Sequence, residues 1–213
     1  MRIVSLKVGF LFPLFAAFLI QNAWTNVSLA PLVKKIHPSV ATVTTYNMYG
    51  EQLRLGSGFF ISKQGLLITH YHVLEGAYRI NVETSDGNKY NSKMVLDEDK
   101  RGDLVCLAVD IPENKVKYLK VTGTMPYAGD RIMVIGSPMG LEQTISDGVV
   151  SAIRTIEGFG EVLQISAPIS KGSSGGPVVN LRGEVVGVST IQILGGQNLN
   201  FAIPGFRVLA MQK

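Results

Sequence analysis

The chain has 213 residues, of which 46% are hydrophobic and 17% charged, with a formal net charge of +4. That balance excludes a disordered chain, and the length suffices for a large core without disulfide or metal staples. The single Cys106 excludes an internal disulfide framework.

Residues 1–7 carry two positive charges, Arg2 and Lys7, and residues 8–20 then run without any charge. This is the length of a signal-peptide core and is short for a bilayer span. Pro13 argues against a straight buried helix. Small residues follow at Ala23 and Ala30. Pro31 disfavours cleavage after Ala30, so residues 1–23 read as the signal peptide and Trp24 as the start of the mature chain. An uncleaved membrane anchor through residues 8–20 and an N-terminal core helix are the alternatives. The signal and the anchor both place the remainder outside the cytoplasm, in the periplasm or secreted. Without residues 1–23 the net charge falls to +2, from 18 basic and 16 acidic residues, which gives no case for nucleic acid as a partner.

Residues 29–36 read as a helix. Short Val-, Thr- and Tyr-rich runs follow at 40–49, 58–61 and 66–69, the last two separated by the tight turn Lys63-Gln64-Gly65. Residues 79–83 and 89–96 flank Ser85-Asp86-Gly87-Asn88, a hairpin signal. Further strands are expected at 104–109, 131–136, 148–153, 162–165, 177–180, 184–190 and 199–203, with a closing helix at 205–212. About a dozen strands with glycine-rich turns and no alternating βα units predict an all-β antiparallel fold: one barrel, two barrels or a sandwich. No internal repeat, low-complexity tract or linker is visible, so residues 24–213 read as one domain.

Three motifs carry chemistry. Gly172-Ser173-Ser174-Gly175-Gly176-Pro177 offers a hydroxyl in a glycine-rich turn. A serine attacks only when a base takes its proton and backbone N–H groups face the oxyanion that forms; a flexible Gly/Ser loop is the plain alternative. Thr69-His70-Tyr71-His72-Val73 closes a strand with two histidines. An imidazole with its ordinary pKa near 6.5 suits general-base work at neutral pH. A structural histidine, or a zinc site using His70 and His72 in an exported metal-binding protein, are the rivals. Asp103 stands directly before the apolar run 104–109. Such an acid can accept the far N–H of a histidine and fix its tautomer. Asp97, Glu98 and Asp99 read as ordinary loop acids, and Cys106 as a buried hydrophobe. The order His, Asp, Ser is that of the chymotrypsin arrangement.

These motifs resemble those of the HtrA (Deg) family of trypsin-like serine proteases. Thr69-His70-Tyr71-His72-Val73 resembles T-x-x-H-V, and Asp103-Leu104-Val105-Cys106-Leu107 resembles D-L-A-V-L. Gly136-Ser137-Pro138-Met139-Gly140 and the stretch from Thr144 to Ala152 are similar to G-N-P-x-G and T-x-T-x-G-I-V-S-A. The serine motif resembles G-N-S-G-G-P, and Asn200-Phe201-Ala202-Ile203-Pro204 resembles G-F-A-I-P. The resemblance implies a chymotrypsin/trypsin-like double six-stranded antiparallel β-barrel and a serine endopeptidase without metal or organic cofactor, acting on polypeptides, unfolded or damaged ones in particular. It implies His72 as base, Asp103 as orienting acid and Ser174 as nucleophile. The backbone N–H groups of Gly172 and Ser174 would form the oxyanion hole. His70 falls on a variable position and takes no role, and a hydroxyl from Ser189 or Thr190 would support Asp103. A non-catalytic holdase or peptide-binding module on the same fold is the alternative.

The resemblance also places Ile169 in the substrate pocket, walled by Pro168 and by Ile191 and Ile193 of a later strand. No acid lies in either segment, and a pocket for Arg or Lys needs one because an unpaired buried cation is costly. Cleavage after Val, Ile, Ala or Leu is therefore expected. Family members commonly carry PDZ domains after the protease; the eight residues after Gly205 lead to the expectation of a protease domain alone, with no PDZ domain. Trimers are common in the family, which leaves a homo-oligomer open.

Overall fold

The computed structural model describes residues 28–136, 144–190 and 199–211. The signal segment, the motif Gly136-Ser137-Pro138-Met139-Gly140 beyond its first residue, and the pocket residues Ile191 and Ile193 lie outside the described residues. Among the described residues no helix is long and apolar enough to cross a membrane.

The first barrel comprises β1 (Val40–Tyr46), β2 (Gln52–Phe60), β3 (Leu66–His70), β4 (Arg79–Thr84), β5 (Lys89–Asp99) and β6 (Leu104–Val109). The second comprises β7 (Arg131–Gly136), β8 (Thr144–Ile156), β9 (Gly160–Ile165), β10 (Pro177–Asn180), β11 (Val185–Thr190) and β12 (Asn200–Pro204). The strand orders are β1-β2-β3-β6-β5-β4 and, read from its other end, β7-β8-β9-β12-β11-β10. The two barrels thus share one topology. Every neighbouring pair is antiparallel, with β4 closing on β1 and β10 on β7. Closure removes the exposed edges that so many short strands would otherwise present. The structure therefore selects the two-barrel form over the single barrel and the sandwich.

Three apolar clusters hold the molecule. One fills the first barrel around Val43, Leu67, Val82 and Leu107. A second fills the other barrel around Val134, Leu163, Val178 and Ala202. The third lies between them, joining Phe59, Ile68 and Leu104 to Ile135, Val188 and Phe201. Strand β11 is buried along its whole length, because one face lines its own barrel and the other the junction. This explains why its sequence is continuously apolar or small rather than alternating.

Helices were expected only at the ends. Helix α1 (Ala30–Ile36) and helix α3 (Gly205–Ala210) are there, and a one-turn helix α2 (Tyr71–Leu74) follows β3 directly. Four residues cannot hold a helix by propensity. Tertiary bonds hold this one: Thr45 Oγ1 donates to the Val73 carbonyl at 3.1 Å, and Arg54 donates to the carbonyls of His72 and Glu75.

Candidate active site

The barrel junction brings three chain segments together: the β3–α2 corner, the turn before β6, and the loop before β10. Asp103 sits in the turn with φ +54°, the only left-handed residue other than glycine among the described residues. Aspartate tolerates that conformation better than most residues, and strain of this kind concentrates where a side chain must be aimed. The turn is fastened from behind. Asp99 Oδ1 accepts the Gly102 N–H at 2.9 Å, and the Asp99 carboxylate receives Arg207 of α3 through Nε at 2.7 Å and Nη2 at 2.9 Å. Asp99 is therefore not an ordinary loop acid: it ties the turn to the helix that follows the second barrel.

His72 opens away from β3 on the first turn of α2 and meets Asp103 twice. Its backbone N–H donates to Oδ1 at 2.9 Å, and Nδ1 lies 2.6 Å from Oδ2. Burial alone would raise the Asp103 carboxyl. The His72 bond and the charges of both histidines outweigh burial together and hold the carboxyl below its ordinary value. Asp103 is thus an acceptor at neutral pH, which fixes the His72 proton on Nδ1 and leaves Nε2 as the basic nitrogen.

His70, the last residue of β3, is completely buried. Nδ1 lies 2.6 Å from the Asp103 carbonyl oxygen, and Nε2 lies 2.7 Å from the Ser189 carbonyl oxygen. His70, His72 and Asp103 offer donor atoms within 4.8 Å of one another, the spacing a cation would need. The donor set fits one poorly, since both ring nitrogens of His70 already face backbone oxygens.

Ser174 is buried at the barrel junction. Its carbonyl accepts the Ser57 N–H at 2.9 Å. A Cβ on Gly56 would meet both Val73, at 2.8 Å, and Ser174, so the serine loop lies against the α2 corner. Its hydroxyl makes no hydrogen bond to His72 in this structure. Three of the loop's amides are in use. Ser173 N–H donates to Ser170, Gly175 N–H to Ser189 and Gly176 N–H to Ser173, each at 3.0 Å. The amides of Gly172 and Ser174 make no such bond among the described residues. Gly172 adopts φ +94° and Gly175 φ +89°, a region that disfavours any side chain. A Cβ on Gly175 would also come within 2.2 Å of the Ser57 carbonyl oxygen.

Ser57 was missed by sequence reasoning. Its hydroxyl donates to the Gly172 carbonyl at 2.6 Å, and its own carbonyl accepts from Thr69 Oγ1 at 2.7 Å. It thereby anchors the serine loop to the strand that ends in His70; only its place in Gly56-Ser57-Gly58, where side chains are small, hinted at close packing. The Ser189 hydroxyl does not support Asp103. It points the other way, to the carbonyls of Ser173 at 2.7 Å and Gly176 at 3.1 Å. Ile169 is partly buried against the second barrel's core, and the Pro168 carbonyl accepts from Ser146 Oγ at 2.7 Å.

A trypsin-like peptidase domain profile matches residues 56–188. Serine protease HTRA1B of Danio rerio is 33% identical over 193 residues, 84% of this chain and 40% of that protein. Periplasmic serine endoprotease DegP of Escherichia coli (strain K12) is 35% identical over 160 residues, 71% of this chain and 34% of that one. The chain thus spans well under half the length of these relatives. Among solved structures, the serine endoprotease from Yersinia pestis superposes with a TM-score of 0.74 at 30% identity, covering 87% of this chain and 64% of that one. An HtrA-type protease with tripeptide superposes at 0.77 and 32% identity, covering 87% and 63%.

Proposed function

The chain belongs to the trypsin-like peptidase domain family, and on that premise we propose that it is an exported serine endopeptidase of HtrA type whose triad is Ser174, His72 and Asp103. The observation that carries this reading is the paired contact of His72 with Asp103, at 2.9 and 2.6 Å, near a serine loop in which the Gly172 and Ser174 amides make no backbone hydrogen bond among the described residues. Asp103 holds the His72 proton on Nδ1, so Nε2 takes the proton of the Ser174 hydroxyl as it attacks the scissile carbonyl. The negative charge that develops on the carbonyl oxygen falls to the N–H groups of Gly172 and Ser174. His72 then returns its proton to the departing amine, and water repeats the cycle on the acyl-enzyme. The Ser174–His72 bond forms as substrate seats; catalytic hydrogen bonds in free enzymes are commonly long.

Polypeptides are the substrates, and Ile169, by the family resemblance, belongs to an aliphatic pocket that favours Val, Ile, Ala and Leu. Unfolded chains expose such residues best. Residues 1–23 direct export, in keeping with the periplasmic DegP relative. The test is cleavage of an unfolded protein by the purified enzyme against Ser174→Ala. Products ending in aliphatic residues, absent with the variant, support the reading; equal products from both overturn it, and a chain that binds unfolded protein without cutting it is a holdase.

A further inference from the structure

Both histidines of the β3–α2 corner contact Asp103, and the proposed triad uses only one. His70 Nδ1 faces two oxygens of that residue, the carbonyl at 2.6 Å and Oδ2 at 3.4 Å. Both are acceptors, so the proton of the neutral ring belongs on Nδ1. Nε2 lies 2.7 Å from the Ser189 carbonyl oxygen of the second barrel, to which a neutral ring protonated on Nδ1 cannot donate; that carbonyl accepts the Gly175 N–H at 3.0 Å instead. The ring therefore stands between the turn that aims the acid and the strand that holds the serine loop. It also lies nearly parallel to His72, with centroids 5.2 Å apart and planes 23° apart. Asp103 and His72 are the titratable groups that face it. Burial pulls the ring below its ordinary value, against the pull of Asp103 and the two carbonyls, which leaves the second proton for acid conditions.

We propose that His70 is a positioning residue for the triad: its Nδ1–H fixes the Asp103 turn, and its ring spaces that turn from the serine loop across the barrel junction. This rests on the triad reading above. The Asp103 backbone is left-handed, and the short His70 contact is one of the bonds that hold it so. Without the His70 donor the Asp103 carbonyl keeps only the longer bond from the Tyr71 N–H, at 3.1 Å, and the loosened turn swings Oδ2 from the His72 ring. A displacement of about 1 Å in catalytic geometry costs on the order of a hundredfold in rate.

The experiment compares His70→Asn, His70→Gln and His70→Leu on an aliphatic chromogenic peptide. An asparagine amide reaches the place of Nδ1, a glutamine amide that of Nε2, and leucine supplies volume without a donor. His70→Asn should keep kcat within about fivefold of the parent, while His70→Leu and His70→Gln fall roughly ten- to a hundredfold with KM nearly unchanged. If His70→Leu does not fold, the Asn and Gln pair decides alone. A kcat for Gln at or above that for Asn, a folded Leu variant with the parent's kcat, or a loss confined to KM overturns the proposal. So does a His70→Asn variant as inactive as His72→Ala, which points instead to a metal shared by the two rings. A parent enzyme that turns over nothing defeats the triad reading itself, a result distinct from failure of the His70 variants alone.

Discussion

At the scale of the residue, Ser174 and Ser173 are adjacent, both buried, and serve different ends. Ser174→Ala should abolish turnover down to the residue that the oxyanion donors and binding sustain, about 10³–10⁴ over water, with the fold unchanged. Ser173→Ala should be mild, since its carbonyl, not its hydroxyl, is what Ser189 and Gly176 hold. Asp103→Asn keeps the shape of the turn and presents an amide to His72, which favours the wrong tautomer; kcat should fall on the order of 10⁴. Acid acts on two of these groups. The Asp103 carboxyl lies below its ordinary 3.8, so the stability it lends is full above that value and is lost as pH falls through the folded one. His70 lies below its ordinary 6.5, so its share is full above 6.5 and declines as the unfolded chain takes up the proton first. Urea unfolding midpoints should drop from pH 7 to pH 5, and His70→Asn should flatten that window while leaving the loss below pH 4. The proposed triad positions are readable in the sequence because nucleophile, base and acid each sit in a motif that resembles the family's. His70 is not, because its role depends on two main-chain carbonyls, 33 and 119 residues away, that no side-chain pattern reveals.

At the scale of the element, the acid turn and α2 are both too short to hold themselves. Asp99, Gly102 and Arg207 brace the turn, and Arg207 stands 108 residues from Asp99. The pair is only partly exposed, 15% and 24% by side chain, so solvent screens it less than a surface pair. Arg207→Ala should lower stability by about 1–3 kcal/mol, read as a fall in the unfolding midpoint. It should also lower kcat for peptides more than it raises KM. The strands themselves were legible from alternation and turn chemistry, and β6, β7 and β10 begin and end where the pattern puts them. β2 and β8 run longer than their apolar stretches, since their polar ends are still paired with neighbours. α2 was invisible because one turn of helix has no period to detect.

At the scale of the molecule, two barrels of identical strand order carry no detectable repeat between them. Topology survives where sequence similarity does not, because closure demands only alternating apolar positions and turns at the right intervals. The proposed site lies at the junction, with Ile169 against the second barrel's core and His72 and Asp103 on the first barrel. Ile169→Asp should therefore depress cleavage after Val without disturbing the His72–Asp103 pair, and a parent profile dominated by Arg and Lys would contradict the aliphatic pocket. Protein isolated from its native host should begin near Trp24, whereas an intact Met1 in a detergent fraction would favour the anchor. The central claim is that Ser174 is an activated nucleophile. A labelled fluorophosphonate tests it most directly, with the modified peptide identified by mass spectrometry. The label should be found on Ser174 alone and should vanish in folded His72→Ala protein; a folded parent that takes no label, or takes it on another serine, would contradict the account.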